Sequence, residues 1–365
     1  MKSGVSIVIP TWNGRPLLQR FLPSVLTAAC RFSTQSGTQV EIIIVDDCST
    51  DDTIEWLHQQ RLVSAQPEID SREGAVCTSH FTVRLVKNES NLGFGGACNR
   101  GFEAAKLDLV LLLNNDVEVD QDVIARLVEN FRDEAVFAAH CRVVNLENGK
   151  VCGTAKMGGF SKGFIRVHQS YVPTSRPSAA EPYYSLFAGG GSAMFDRLKL
   201  REIGGFEELL SPFYWEDVEL SYRAWKRGYT VLFEPAAVVR HQLSSTIRRL
   251  DRRTVRKIEQ RNRLLYHWIH LHDKALFTFH IFWVGLLLLT APLMMKPGFI
   301  LSAVDALRVL PQVRKRRREE KALSVRTDRD VIALFEALSE RPDLMIYDDI
   351  DRLDTPATVN REHRL

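Results

Sequence analysis

The sequence predicts an α/β fold on a doubly wound, mostly parallel sheet, and three observations lead to it. Residues 109–113, Leu-Val-Leu-Leu-Leu, are apolar on both faces yet short, as a central strand covered by helices on both sides must be. Apolar runs at 5–9, 40–45 and 82–86 alternate with stretches of helical periodicity, which is the signature of repeated strand-helix-strand units. Most of these runs break off in amides, carboxylates or hydroxyls, so buried strands deliver polar groups to their carboxyl ends, where open α/β sheets bind ligands.

In chain order, residues 5–9 form the first strand, broken by Pro10-Thr11-Trp12-Asn13-Gly14. Leu17, Leu18, Phe21, Leu22, Val25 and Leu26 then mark one face of a helix. The second strand, 40–45, ends in Asp46-Asp47, and Ser49 to Asp52 has the spacing of a helix capping box with Asp in the Glu position. Residues 61–80 lose periodicity and read as a surface insertion before the third strand at 82–86. Asn91-Leu-Gly-Phe-Gly-Gly-Ala-Cys-Asn-Arg-Gly101 opens a helix through Ala104 and Ala105. The strand at 109–113 follows, crowned by Asn114-Asn115-Asp116-Val117-Glu118, and Val123, Ile124, Leu127, Val128 and Phe131 space another helix. Beyond 135 the pieces are shorter and Gly-rich. A helix begins near Trp215 and is closed by Gly228, and strands at 231–233 and 237–239 bracket Pro235 before Arg240-His241. A basic helix at 248–272, an apolar stretch at 277–295 and an amphipathic helix at 327–340 complete the chain ahead of a polar tail.

A chain of 365 residues, 45% apolar and 25% charged, can bury a large core and is expected to hold one big α/β domain with an appendage. The net charge of +3 is too small to argue for nucleic acid. Lys and Arg instead crowd into 248–263 and 314–321, which points to an anionic partner for the C-terminal part alone. The six cysteines include no Cys-x-x-Cys pair, so reduced thiols in a cytosolic compartment are expected. The N-terminus runs directly into a strand, and no signal peptide is expected.

The polar clusters at Pro10 to Asn13, Asp46-Asp47, Asn91 to Asn99 and Asn114 to Asp116 would line one crevice of a parallel sheet. Their contents suit a nucleotide: Trp12 offers an aromatic face, Asp47 can accept a base N–H, and Gly93, Gly95, Gly96 and Gly101 allow close backbone approach. Carboxylates at a rigid strand end suit a hard divalent cation that also bridges substrate phosphates. The glycine run fails as a dinucleotide fingerprint, because Cys98 stands where the third glycine belongs.

Taken together and in order, Val-Ser-Ile-Val-Ile-Pro-Thr-Trp-Asn-Gly, Val-Asp-Asp-Cys-Ser-Thr-Asp-Asp-Thr, the glycine run from Asn91, Leu-Leu-Asn-Asn-Asp-Val and Trp-Glu-Asp-Val-Glu-Leu resemble the blocks of glycosyltransferase family 2. These are inverting nucleotide-sugar transferases of the GT-A fold, and the likeness covers about residues 5–245. The resemblance implies donor binding by Pro10, Thr11, Trp12, Asn13, Asp47, Asn91, Gly93, Asn99, Asn114 and Asn115, with Asp47 on the base. It places Asn114-Asn115-Asp116 at the Asp-x-Asp position whose last carboxylate, Asp116, holds Mg or Mn, and His241 at the position of a further metal ligand. Asn114 replaces the first Asp of that motif, as is common in the branch resembling rhamnosyl- and galactofuranosyl-transferases.

By the same resemblance Asp217 is the catalytic base. Displacement with inversion at an anomeric carbon needs one base opposite the leaving diphosphate and no covalent partner. Glu216 lies beside Asp217 and can raise its pKa by like-charge repulsion. Trp215 and Glu216, with 187–194 and 204–206, match the acceptor floor. The expected activity is transfer from a nucleoside-diphosphate sugar to a glycan or lipid-pyrophosphate-linked acceptor in cell-surface polysaccharide synthesis. The alternatives are a catalytically silent sugar-nucleotide binding module and a Rossmann-type nucleotide enzyme.

The expected division is a GT-A domain at 1–246, a basic helix with a hydrophobic membrane-associating segment at 247–322, and a C-terminal helix and tail at 323–365. Residues 276–295 are about long enough to span a bilayer, which takes roughly 20 apolar residues. A single span would separate the nucleotide-using domain from the basic cluster at 314–318, although both belong in the cytoplasm. Pro292 and Lys296-Pro297-Gly298 break the segment, so a monotopic or re-entrant attachment to the cytoplasmic face of the inner membrane is expected.

Overall fold

The computed structural model describes residues 4–60, 73–77, 81–174, 183–242, 251–291 and 297–347. The N-terminal half is built from β1 (Gly4–Thr11), α1 (Arg15–Ser36), β2 (Gln39–Asp46), α2 (Thr53–Gln59), β3 (Glu73–Cys77), β4 (Thr82–Lys87), α3 (Gly93–Ala104), β5 (Leu109–Leu113), β6 (Val117–Val119) and α4 (Val123–Val128). Then come β7 (Val136–Asn145), β8 (Val151–Gly153), β9 (Ala155–Lys156), β10 (Phe160–Ser161), β11 (Phe164–Ile165), β12 (Ser170–Pro173), β13 (Ser192–Asp196), α5 (Arg197–Ile203), α6 (Glu216–Lys226) and β14 (Thr230–His241). The C-terminal part holds α7 (Arg252–His270), α8 (Lys274–Thr290), α9 (Pro297–Arg308), α10 (Leu310–Leu323), α11 (Asp328–Leu338) and β15 (Leu344–Tyr347).

The main sheet runs β3-β4-β2-β1-β5-β13-β7-β14-β6, with β8 on β7. It is parallel from β4 through β5, as expected, and mixed beyond, because β13 enters antiparallel between β5 and β7. Alternation along each central strand feeds two cores. Ile7, Ile9, Leu109 and Leu111 pack under α1 and α4, while Val8, Ile43, Val110 and Leu112 pack under α3. Gly101 makes that second layer possible, since a Cβ there would stand 2.2 Å from Val8 Cγ1.

Several expectations need correcting. The supposed insertion contains β3, an antiparallel edge strand on β4, whose sequence Glu-Gly-Ala-Val-Cys is too short and mixed to show a period. The capping box at Ser49 does not form. Ser49 Oγ instead accepts from the Asn13 N–H, and Asp51 accepts the Thr53 N–H at the start of α2. The two strands around Pro235 are one strand, β14, which keeps its pairing with β7 through a register shift between Glu234 and Val238. In the expected polar tail, β15 pairs with β12 in a small second sheet. The start of the basic helix and the end of the apolar stretch fall outside the described residues.

Charged residues of the C-terminal helices turn inward. Asp328, at the start of α11, is 1% exposed and accepts from Tyr222 OH (2.9 Å), Lys226 Nζ (2.6 Å) and the backbone N–H groups of His272 and Asp273 (2.6 Å each). α11 is started by a full capping box between Thr327 and Asp330 and packs Phe335 against Trp225 of α6. Val325 and Arg326 N–H both donate to the Lys226 carbonyl, so the chain beyond α8 and α9 returns to the end of α6. Among the described residues, no helix is long and apolar enough to cross a membrane.

Candidate active site

The carboxyl ends of β1, β2 and β5 bring the expected clusters together. Asn13 sits at φ 48°, and its Oδ1 accepts the N–H groups of Thr50 (2.7 Å) and Asp51 (3.3 Å), which ties the loop after β1 to the loop after β2. Asn115 Nδ2 donates to Thr11 Oγ1 at 2.8 Å, linking β1 to β5. With its backbone neighbours so clasped, Trp12 is left 45% exposed at the lip, and Pro10 is buried beneath it.

Asp47 is buried and caps α3: Oδ1 accepts from Asn88 Nδ2 and Leu92 N–H (2.9 Å each) and Oδ2 from Gly93 N–H (3.0 Å). Gly93 takes φ 75°, and its N–H is shared with Asn91 Oδ1 at 3.1 Å. Asn99 lies nearly two helix turns further on. Its amide is engaged at both ends by Phe206, donating to the carbonyl at 2.9 Å and accepting from the N–H at 2.8 Å. Asn99 therefore holds the loop after α5 rather than facing the strand ends.

After β5 the Asn114 N–H donates to the Gly191 carbonyl at 3.0 Å, while Asn114 Oδ1 is buried and has no partner among the described residues. Asp116, 6% exposed, meets His241 through Oδ1 and Nε2 at 2.8 Å. The pairing of β14 with β6 sets His241 opposite Val117 and so delivers the imidazole from far along the chain. No group of three or more metal-ligating side chains exists among the described residues. The Asp116–His241 pair nevertheless fits two adjacent ligands of an octahedral cation, which lie about 3.0 Å apart when each bond is about 2.1 Å. The remaining positions would fall to water and diphosphate oxygens.

Asp217 stands in the first turn of α6. It follows two left-handed non-glycine residues, Tyr214 (φ 71°) and Trp215 (φ 76°), a strained pair that its surroundings must enforce. α7 does so: Asn262 Nδ2 donates to the carbonyls of Phe213 and Tyr214 (2.9 Å each), and Trp215 packs on Tyr266 with ring centres 5.2 Å apart. Trp215 is thereby buried, a support for the loop with little face left for an acceptor.

Asp217 Oδ1 accepts the Val218 N–H at 2.8 Å and Oδ2 the Gly190 N–H at 3.3 Å. Burial raises its pKa, against the pull of those backbone donors and of the Lys156 charge. Glu216 is pushed up to about 8 by burial and by Asp217, and its Oε2 is buried without a partner among the described residues. With its pKa at about 8 the Glu216 carboxyl keeps its proton at neutral pH and so presents no full negative charge to Asp217. Glu216 also lines a cavity of about 290 Å³ with Asn99, Glu207, Ser211 and Phe213.

Three contributions were not assigned from the sequence. Gly190, placed there only within the acceptor floor, donates to Asp217. Lys156 on β9, bonded to Ser170 Oγ at 2.9 Å, supplies the positive field, and no motif announces it. Behind α6, the buried Arg223 pairs with Glu219 at 2.7 Å, and Glu219 meets His270 Nε2 at 2.6 Å. The i, i+4 spacing of Glu219 and Arg223 was visible, but it reads equally as a surface pair.

Comparison with known proteins gives two family matches: glycosyl transferase family 2 over residues 6–204 and glycosyl transferase family group 2 over residues 109–310. Among curated proteins the chain is 29% identical over 185 residues to a dolichol-phosphate mannosyltransferase of Pyrococcus furiosus, covering 50% of this chain and 45% of that one. It is 24% identical over 245 residues to a pre-mycofactocin glycosyltransferase of Mycobacterium tuberculosis, covering 67% and 44%. The matched part thus spans less than half the length of these relatives. A crystal structure of GalNAc-T7 with UDP, GalNAc and Mn2+ matches with a TM-score of 0.59 at 18% identity, covering 94% of this chain and 58% of that one. This likeness establishes the GT-A fold.

Proposed function

The chain belongs to glycosyl transferase family 2, and we propose that it moves a sugar, with inversion, from a nucleoside diphosphate to a hydroxyl of a glycan or lipid-linked acceptor. One observation carries the reading. The turn at 189–191 touches both halves of the required chemistry, giving its Gly190 N–H to the Asp217 carboxylate and its Gly191 carbonyl to the Asn114 N–H beside Asp116. A base and a diphosphate site are thus set across one short turn.

In the proposed reaction the acceptor oxygen bonds to the anomeric carbon while the bond from that carbon to the diphosphate breaks and its electron pair leaves with the phosphate oxygen. The acceptor proton passes to Asp217, whose raised pKa improves it as a base while the neighbouring proton on Glu216 spares it a second charge. Asp116 and His241 would hold Mg or Mn, which when bound offsets the charge on the departing diphosphate. Trp12 and the Asp47 loop would receive the base.

The acceptor side of the proposal is a lipid-linked glycan at the cytoplasmic face of a membrane, in the synthesis of a cell-surface polysaccharide. Supporting it, α8 carries exposed Phe279, Ile281, Phe282, Leu286 and Leu289 on a 17-residue helix, and the chain on both sides of α8 and α9 packs on the same domain. That arrangement suits attachment from one side.

Asp217→Asn is the direct test, because the amide keeps the shape of the group but takes no proton. Turnover of a nucleotide-sugar panel should fall by about 10²–10⁴-fold with nucleoside-diphosphate affinity unchanged. Undiminished turnover, or product with the donor's anomeric configuration, would sink the reading.

A further inference from the structure

Between α7, α8 and α9 lies a cavity of about 210 Å³, far from the strand ends, that the transfer chemistry leaves unused. Its walls are apolar, formed by Phe164, Leu264, Leu287, Ala291 and Phe299, and its polar members are Arg256, Gln260, Arg263 and Thr290. Arg263 is the anomaly. It is partly buried, its guanidinium lies 3.9 Å over the Phe164 ring and makes no hydrogen bond or ion pair among the described residues, and its Nε is buried and unpartnered. The nearest acidic influence is Glu259, one turn earlier and exposed, and burial pulls the Arg263 pKa below its ordinary value.

A partly desolvated charge without a counter-charge is costly and favours an anion that supplies one. Arg256 is exposed at the mouth of the same cavity and is likewise unpaired among the described residues. Gln260 accepts from Ser302 Oγ at 3.4 Å and keeps its amide N–H donors free among the described residues. Two guanidinia and an amide converge, which is the donor set a phosphate takes.

The apolar walls decide what bears that phosphate. Free phosphate gains nothing from Phe164, Leu287 and Phe299, and the cavity is smaller than the roughly 300–1,000 Å³ that enclose whole ligands. It fits a phosphate and the first carbons of a chain whose remainder lies outside. The outward side of α8, with Phe282, Leu286 and Leu289 exposed, adjoins it. We propose that this cavity seats the phosphate of an anionic membrane phospholipid, its chain running along α8, so that the enzyme docks on anionic bilayers through a built site as well as through diffuse charge. The proposal rests on the membrane-surface reading given above.

The test is co-flotation of the full chain with vesicles of phosphatidylcholine alone or with added phosphatidylglycerol. The variants are Arg263→Met, Thr290→Met, which fills the cavity and keeps both arginines, and Arg252→Met as an exposed control on the same helix. Arg263→Met and Thr290→Met should lower affinity for the anionic vesicles by about 10- to 100-fold, the range for hydrogen bonds to charged groups. Arg252→Met should lower it by no more than about fivefold. Binding to phosphatidylcholine alone should be equal in all. Dihexanoyl phosphatidic acid should compete, and inorganic phosphate at the same concentration should not.

If Arg263→Met and Thr290→Met both behave like Arg252→Met, or if inorganic phosphate displaces the protein, the site is disproved while membrane attachment stands. If the unaltered protein floats with neither vesicle, both fall, and nucleotide-sugar turnover in detergent-free buffer still reports on the glycosyltransferase reading by itself. Should Arg263→Met fail to fold, Thr290→Met decides.

Discussion

The strand-end half and the helical half of this chain use polar side chains in opposite ways. Around β1, β2 and β5, and at Glu216 beside them, hydrogen-bonding capacity is left over: Asn114 Oδ1 and Glu216 Oε2 are buried with no partner among the described residues. Behind α6, by contrast, two buried carboxylates are fully engaged by the fold. Asp328 takes four donors, and Glu219 is held between Arg223 and His270 in the core. Burying a polar atom is costly in either place; behind α6 the fold itself compensates Asp328 and Glu219, whereas Asn114 Oδ1 and Glu216 Oε2 stand uncompensated beside the strand ends.

The comparison breaks hardest at Asp116. Asp116→Ala should lower sugar transfer by about 10³-fold or more through loss of the cation site, with metal affinity lost in titration calorimetry and the unfolding midpoint nearly unmoved. A variant that transfers sugar normally, or in chelator, would show that the strand-end half has no such vacancy to fill. The opposite outcome is expected at Asp328. Asp328→Ala strands the Lys226 charge and should cost about 3–5 kcal/mol in urea unfolding, while nucleoside-diphosphate affinity per folded molecule stays the same.

Glu216 sits on the border between the two behaviours and should give the smallest effect. Its carboxyl is pushed up to about 8 in the folded chain from an ordinary 4.5, so folding favours its protonated form. Nothing is lost below pH about 4.5, where both states are protonated. The penalty grows as pH rises from there toward 8 and then stays constant. Glu216→Gln should therefore raise the melting temperature by about 2–4 °C at pH 9 and leave it unchanged at pH 4.5. The inflection near pH 8 in the pH–rate profile should vanish. A variant less stable than the parent at pH 9 would overturn the assignment.

What could be read from the sequence follows the same division. Parallel strands buried on both faces write themselves as apolar runs, and their polar ends stay contiguous, so Thr11, Asp47 and Asp116 were found together. Asn99 was misplaced because a helix presents several faces and only tertiary contact with Phe206 shows which one it uses. The parts of Lys156 and Gly190 at the base were unreadable for a related reason: each reaches it from a short strand or turn without a period of its own. In the helical half, sequence distinguishes a charge from an apolar residue but not a buried pair from a solvated one. Asn262 shows the difficulty, an uncharged residue among arginines that turns out to clamp the loop before the base.

The pairing of β15 with β12 joins Leu344–Tyr347 to Ser170–Pro173, across nearly half of the amino-acid order. On a ribosome, which adds roughly 5–20 residues per second, β12 must wait on the order of ten seconds or more for that partner. α8 emerges during the wait, its apolar face made before the helix and strand that later draw the chain back toward α6. The order of synthesis thus sets out the apolar side chains that α8 leaves exposed before the small sheet that β15 completes.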